Sequence, residues 1–127
     1  SRFLPHNHFR ILVVYTVTHD NDTSLGWWRS LADSERTFLR RYAPHVDSDP
    51  VGTLLRLAWG SVADFAIVPM QDVLGLDSDA RMNVPGAPDG NWRWRCPEAL
   101  VTTEVINHLA DLTQLFNRQP GPEIKDA

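Results

Sequence analysis

Ile11-Leu12-Val13-Val14-Tyr15 runs directly into Thr16-Val17-Thr18-His19-Asp20-Asn21-Asp22. Five apolar residues in succession, three of them β-branched, do not alternate with polar ones. Such a run reads as a strand buried on both faces, the habit of parallel sheets. Phe65-Ala66-Ile67-Val68-Pro69-Met70 is a second run of the same kind, with Pro69, which has no N–H, expected at its end. The segment between them is helical in pattern. Asp33 or Ser34 is placed to cap a helix carrying Phe38, Leu39 and Tyr42, with Arg40 and Arg41 near its C-terminus. Asp49-Pro50 starts another helix, Asp as N-cap and Pro in the first turn, with Val51, Leu54, Leu55, Ala58 and Val62 at helical spacing. Strand, helices, strand at that separation is a crossover between parallel strands. After the second strand comes a long irregular stretch, 75–97, rich in Gly, Pro, Asp and Asn. A last helix is expected over 102–117, with Val105, Leu109, Leu112 and Phe116 as one stripe joined by Ile106 and Leu115. The fold class is α/β.

The 127 residues suffice for one core, and 43% hydrophobic with 22% charged residues is a globular composition. A net charge of −4 leaves no basic footprint for nucleic acid. No apolar run approaches the ~18 residues of a membrane span, so no membrane partner is expected. Cys96 is the one cysteine, which excludes a disulfide within the chain and a cysteine metal cluster. It also fits a reducing compartment, and the cytoplasm is the expected location. The start, Ser1-Arg2-Phe3-Leu4-Pro5, has neither a signal pattern nor an initiator Met, as if the chain began inside a longer protein. The end, 119–127, carries Pro120, Gly121 and Pro122 and reads as a flexible tail on a domain spanning 1–118.

Chemistry in parallel α/β architectures gathers just past the C-terminal ends of the strands. Here the first run turns abruptly into His19-Asp20-Asn21-Asp22, and the second into Gln71-Asp72. A carboxylate in that position can stabilise developing positive charge or hold hydroxyls. For Asp20 that functional reading is favoured. For Asp22 a helix cap near Thr23-Ser24 is favoured. His6-Asn7-His8 has metal-ligand spacing but precedes the strand, the wrong end for chemistry, so no metal is expected. His45 and His108 have no companions and read as structural or exposed. Ser61 and Ser78 lack the surroundings of a nucleophile. The long loop offers Arg81, Asn83, Asn91, Trp92 and Trp94, the planar amides, guanidinium and aromatic faces that suit sugars. Trp92 and Trp94, two residues apart, could equally point one face of a short strand into the core.

Val14-Tyr15-Thr16-Val17-Thr18-His19-Asp20-Asn21-Asp22-Thr23, followed by Gly26-Trp27-Trp28, resembles the V-Y-T-G-T-H-D-N-D-T segment of 4-alpha-glucanotransferases of the amylomaltase, or disproportionating enzyme, family. Ala66-Ile67-Val68-Pro69-Met70-Gln71-Asp72-Val73-Leu74-Gly75-Leu76, Ala80-Arg81-Met82-Asn83-Val84-Pro85-Gly86 and Gly90-Asn91-Trp92-Arg93-Trp94-Arg95 resemble that family's C-terminal signature, in order. The resemblance covers nearly the whole chain, from Pro5 to Phe116. It implies the last two or so β/α units of a (β/α)8 TIM barrel of the alpha-amylase type. It implies retaining transfer of a segment of a 1,4-alpha-glucan to the 4-hydroxyl of an acceptor glucan or glucose, with no cofactor. Maltodextrins and starch or glycogen chains are the implied partners.

On the same resemblance Asp20 is the carboxylate that supports the distorted sugar in the transition state. His19 hydrogen-bonds that sugar, and Asn83 lines the donor side. The family's nucleophilic Asp and acid/base Glu belong to strands that would lie upstream of Ser1, and no carboxylate here takes either role. The chain alone is therefore expected to be inactive, and marginally stable or self-associating, because two parallel strands cannot close a barrel. Val17 stands where the family usually has Gly, which asks whether its backbone must be left-handed. His8-Phe9 stands where Tyr-Pro is frequent. A non-catalytic glucan-binding fragment using Trp92, Trp94 and Asn83 is the alternative function. A metal hydrolase using His6, His8, His19 and Asp20 would need ligands from opposite ends of one strand.

Overall fold

The computed structural model describes residues 12–119. His6, His8 and the residues after Gln119 lie outside that range. The order of elements is β1 (Val13–Tyr15), α1 (Ser24–Ser30), α2 (Asp33–Tyr42), α3 (Pro50–Trp59), β2 (Phe65–Ile67), α4 (Met70–Val73) and α5 (Thr103–Leu115). Strands β1 and β2 pair in parallel, with Val13 opposite Phe65, Val14 opposite Ala66 and Tyr15 opposite Ile67. The crossover expected between the two apolar runs is present, and both strands deliver their C-terminal ends to the same edge of the molecule.

Each strand is three residues long, shorter than its apolar run. At the end of the second run Pro69 precedes α4 as its N-cap, and Met70 is already helical. The expectation of strands buried on both faces is corrected. Val14 and Ala66 pack against the core, but Val13, Tyr15, Phe65 and Ile67 on the other face are exposed. Period-two alternation puts these residues on the side away from the helices, and among the described residues nothing packs over it.

The core lies between α3 and α5: Val51, Leu55, Ala58, Trp59 and Leu112 are buried, with Leu25, Leu109 and Phe116 against them. In α3 the Asp49 side chain accepts from Gly52 N, and Pro50 occupies the first turn, as its sequence suggests. The helix stops at Trp59, so Val62, read as part of its stripe, is instead 92% exposed beyond the end. Of the last helix's apolar residues, Leu112 is buried while Ile106 and Leu115 face outward. No side chain caps α2: Ala32 is its N-cap, and Asp33 and Glu35 lie inside the first turn, where they face the positive end of the helix dipole. Phe38 and Tyr42 of α2 are exposed. Near its other end Arg40 donates two hydrogen bonds to Asp47, at 2.6 and 3.1 Å, and the guanidinium holds that carboxyl below the usual carboxylate range.

Arginines close two helix C-termini, where carbonyls lack intrahelical partners and the dipole is negative. Arg36 donates to the carbonyls of Trp28 and Arg29 at the end of α1, its guanidinium 5.2 Å from the Trp28 ring centre. Arg118 donates to Trp59 O (2.6 Å), Ser61 O (2.9 Å) and Ala63 O (3.0 Å) at the end of α3. Residue 118 is thus tied to the α3–β2 turn, and Trp59 is held from the other side by Nε1 donating to Thr113 Oγ1 at 3.1 Å. Arg118→Ala should lower unfolding stability by about 2 to 3 kcal/mol, because several carbonyls lose a charged donor together. Urea unfolding followed by Trp fluorescence measures it, and an unchanged midpoint would contradict the clamp.

Candidate functional site

The segment after β1 is organised before it meets any other element. Asn21 N donates to Thr18 O at 3.1 Å, the closing bond of a four-residue turn. Asn21 Oδ1 in return accepts from Thr18 N (3.0 Å) and Thr18 Oγ1 (2.8 Å). His19 and Asp20 are therefore the two corner residues, and a corner leaves both side chains free of the turn's own backbone. They stay accessible, at 56% and 55% side-chain exposure, which a ligand-binding pair requires.

The ends of this segment are fixed by one carboxylate from the other strand's exit. Asp72, in α4, is 1% exposed. Its Oδ2 accepts from Thr16 Oγ1 at 2.6 Å and Ser24 Oγ at 2.5 Å, and its Oδ1 accepts from Ser24 N at 2.9 Å. Thr16 leaves β1 and Ser24 opens α1, so Asp72 spans both ends of the turn-bearing loop. Burying a carboxylate is costly unless it is hydrogen-bonded, and here three donors converge on it.

The cap assigned to Asp22 belongs instead to Thr23, whose Oγ1 accepts from Gly26 N at 3.2 Å. Asp22 bridges: Oδ1 accepts from Thr23 N (2.7 Å) and Oδ2 from Ser78 Oγ (2.8 Å). A Cβ on Gly26 would overlap the Asp22 carboxylate and Ser78 Oγ, so glycine is what lets α1 come this close. Arg29 pairs with Asp77 beside it. Val17 is half-buried and is not among the residues with positive φ, so a β-branched side chain fits there.

The long loop after β2 then folds back over the corner. Asn83 Nδ2 donates to Asp20 Oδ1 at 2.8 Å, across 63 positions of sequence. Arg81 donates through Nη2 to Asp20 O (3.2 Å) and through Nε to Asn83 O (2.9 Å), bracing both partners. His19 Nε2 lies 3.4 Å from the same Asp20 Oδ1. Asp20 Oδ2 has no hydrogen bond among the described residues. Asn91 shapes the loop, its Oδ1 accepting from Val84 N (2.9 Å) and its Nδ2 donating to Ala87 O (3.2 Å). Trp92 is not on a strand and does not enter the core: it is 59% exposed, with φ 60°, and its ring centre lies 5.0 Å from that of His19. Trp94 is half-buried and also outside any strand.

Thus His19, Asp20 and Asn83, the three sequence-predicted site residues, are in one place. Asn21, Arg81 and Asp72 as organisers of that place were not read from sequence. The Thr-x-x-Asn spacing at Thr18–Asn21 was the available signal for the turn. His45 and His108 are exposed, away from the corner. No group of three or more His, Cys, Asp or Glu suited to a metal occurs among the described residues. A concavity of about 530 Å³ lined by Trp59, Phe65 and Arg118 lies at the N-terminal end of β2, opposite the corner.

The family described as 4-alpha-glucanotransferase matches residues 1–102. The chain belongs to the 4-alpha-glucanotransferase family. It is 50% identical over 97 residues to the chloroplastic/amyloplastic 4-alpha-glucanotransferase of Solanum tuberosum, covering 76% of this chain and 17% of that protein. To the 4-alpha-glucanotransferase of Thermus thermophilus it is 49% identical over 102 residues, 73% of this chain and 20% of that one. Its fold is similar to that of the amylomaltase from Streptococcus agalactiae in complex with acarbose. There the TM-score is 0.82 at 31% identity, over 94% of this chain and 24% of that one. The chain therefore spans about a fifth of the curated 4-alpha-glucanotransferases and about a quarter of the solved amylomaltase.

Asp72→Ala should be the most damaging single change near the corner. It orphans Ser24 N and two hydroxyls at once, a loss of at least about 3 kcal/mol. Asp72→Asn should cost less, because its amide can still meet the two hydroxyls. Urea unfolding of both variants checks the order, and equal midpoints for Ala and wild type would remove Asp72 as the tie.

Proposed function

We propose that this chain is the C-terminal portion, about the last two β/α units, of a (β/α)8 barrel that transfers 1,4-alpha-glucan segments to a new 4-position on an acceptor glucan or glucose. One observation supports the reading most. A carboxylate (Asp20), an amide (Asn83) and an imidazole (His19) converge past the C-terminal ends of two parallel strands, where barrels keep their chemistry. The parallel pair with its helical crossover is the repeating unit of such a barrel, and residues 1–118 are assigned to it.

In the proposed reaction the free Oδ2 of Asp20 faces the sugar and takes hydrogen bonds from its hydroxyls. As the glycosyl centre gains positive charge, the carboxylate stabilises it, held in place beforehand by Asn83 and the Arg81 brace. His19 donates to the same sugar, and Asn83 lines the donor side. No residue of this chain acts as nucleophile or as acid/base, so these come from other strands of the barrel. Maltodextrins and starch or glycogen chains are the substrates, no cofactor is required, and the enzyme works in the cytoplasm. A bound acarbose in the similar amylomaltase is consistent with a glucan-shaped ligand.

Grafting this chain in place of the matching segment of the Thermus thermophilus 4-alpha-glucanotransferase tests the proposal. The graft should convert maltotriose to glucose and longer maltodextrins, while the pure 127-residue chain should release no glucose. Asp20→Asn in the graft should lower kcat by about 10²- to 10³-fold, the scale of losing one preorganised electrostatic group. A graft whose turnover ignores that change would overturn the role of Asp20. Glucose from the isolated chain would overturn the need for the missing carboxylates.

A further inference from the structure

Trp92 combines features that core packing does not explain. It is a bulky residue in the left-handed region at φ 60°, a conformation that ordinarily favours glycine. Its side chain is mostly in solvent, at 59% exposure, so burial does not compensate for the backbone. Its N–H donates to Met82 O at 2.6 Å, and the preceding Asn91 is hydrogen-bonded at both ends of its amide, so the conformation is imposed from both sides. Strained residues of this kind cluster at functional sites. Met82 is the immediate neighbour of Asn83, which holds Asp20. The ring lies 5.0 Å from the His19 ring, tilted by 42°. A closed circuit results: Asp20 to Asn83, Asn83 along the chain to Met82, Met82 to Trp92, Trp92 to His19, and His19 back to Asp20.

We infer that Trp92 is a positioning residue for His19: its left-handed backbone turns the indole onto the imidazole and keeps His19 Nε2 directed at the Asp20 carboxylate side of the site. The inference rests on the glucan reading of the corner and deepens it. An exposed imidazole at a turn corner would otherwise sample several rotamers. Packing against a flat ring on one side, with the carboxylate on the other, leaves it one orientation from which to donate to a sugar hydroxyl.

Trp92→Gly and Trp92→Phe separate the ring from the backbone. Glycine tolerates φ 60°, so Trp92→Gly keeps the turn and deletes the indole. In the full chain with ¹³C-labelled histidine, assigned through His19→Gln, the His19 ring signal should sit upfield through the indole ring current. It should lose that displacement in Trp92→Gly and keep part of it in Trp92→Phe, while urea midpoints show that Trp92→Gly is no less stable than wild type. Acarbose affinity should fall about tenfold in Trp92→Gly and recover in Trp92→Phe. A His19 signal identical in wild type and Trp92→Gly would overturn the inference, as would unchanged acarbose affinity in Trp92→Gly. The histidine spectra need no sugar. Absence of acarbose binding by wild type with the His19 displacement intact would therefore strike the glucan reading and not the Trp92–His19 contact.

Discussion

The carboxylate of Asp72 is the constraint on which the His19–Asp20 corner depends. It is buried to 1% and engaged by Thr16 on one side and by Ser24 on the other. A loop joined only through its own chain could close at many angles. With its exit from β1 and its entry to α1 both hydrogen-bonded to one side chain, it has essentially one. Because Asp72 lies in α4, the short helix that follows β2, the tie also joins the two strand exits. The parallel pairing of only three residues per strand is thereby supplemented at the end where the chemistry is proposed.

Around that tie the site is built in two stages with different physics. The Thr18–Asn21 turn is local: its bonds run between residues three apart and need no tertiary structure. The clamp on Asp20 is non-local, with Asn83 and Arg81 reaching back over more than sixty positions. The first stage presents His19 and Asp20 at a corner, and the second gives the carboxylate one fixed oxygen and one open one. Preorganisation of that kind is what makes a charged group effective against a developing charge, since no reorientation is needed during reaction.

Elsewhere charged clamps at helix ends accompany a small apolar cluster. Arg36 and Arg118 close the ends of α1 and α3, and the buried apolar cluster is confined to α3, α5 and the faces turned toward them. The outward face of the strand pair, with Val13, Tyr15, Phe65 and Ile67, is apolar and uncovered by the described residues. Its composition is that of a sheet meant to be covered on both sides, in keeping with a chain that spans about a fifth of its curated relatives.

The sequence by itself determined the α/β class, the parallel crossover, the Asp49-Pro50 helix start and the membership implied by the long collinear motifs. All of these follow from short-range patterns: unalternated apolar runs, caps, and residue order. It also marked Asp20, with His19 beside it, by its place past the end of the first apolar run, and it marked Asn83 through the loop segment that resembles the family's signature. Only the tertiary structure decided that Thr23 and not Asp22 caps α1, that Val62 falls beyond its helix, and that the strands' outward face stays open. It alone showed Asp72 as the tie, Arg81 as the brace and Trp92 as a left-handed residue against His19. Those outcomes depend on which groups meet across tens of residues. A hydrogen bond between Asp20 and Asn83 leaves no trace in the spacing of either, whereas a helix or a strand writes its period into neighbouring residues.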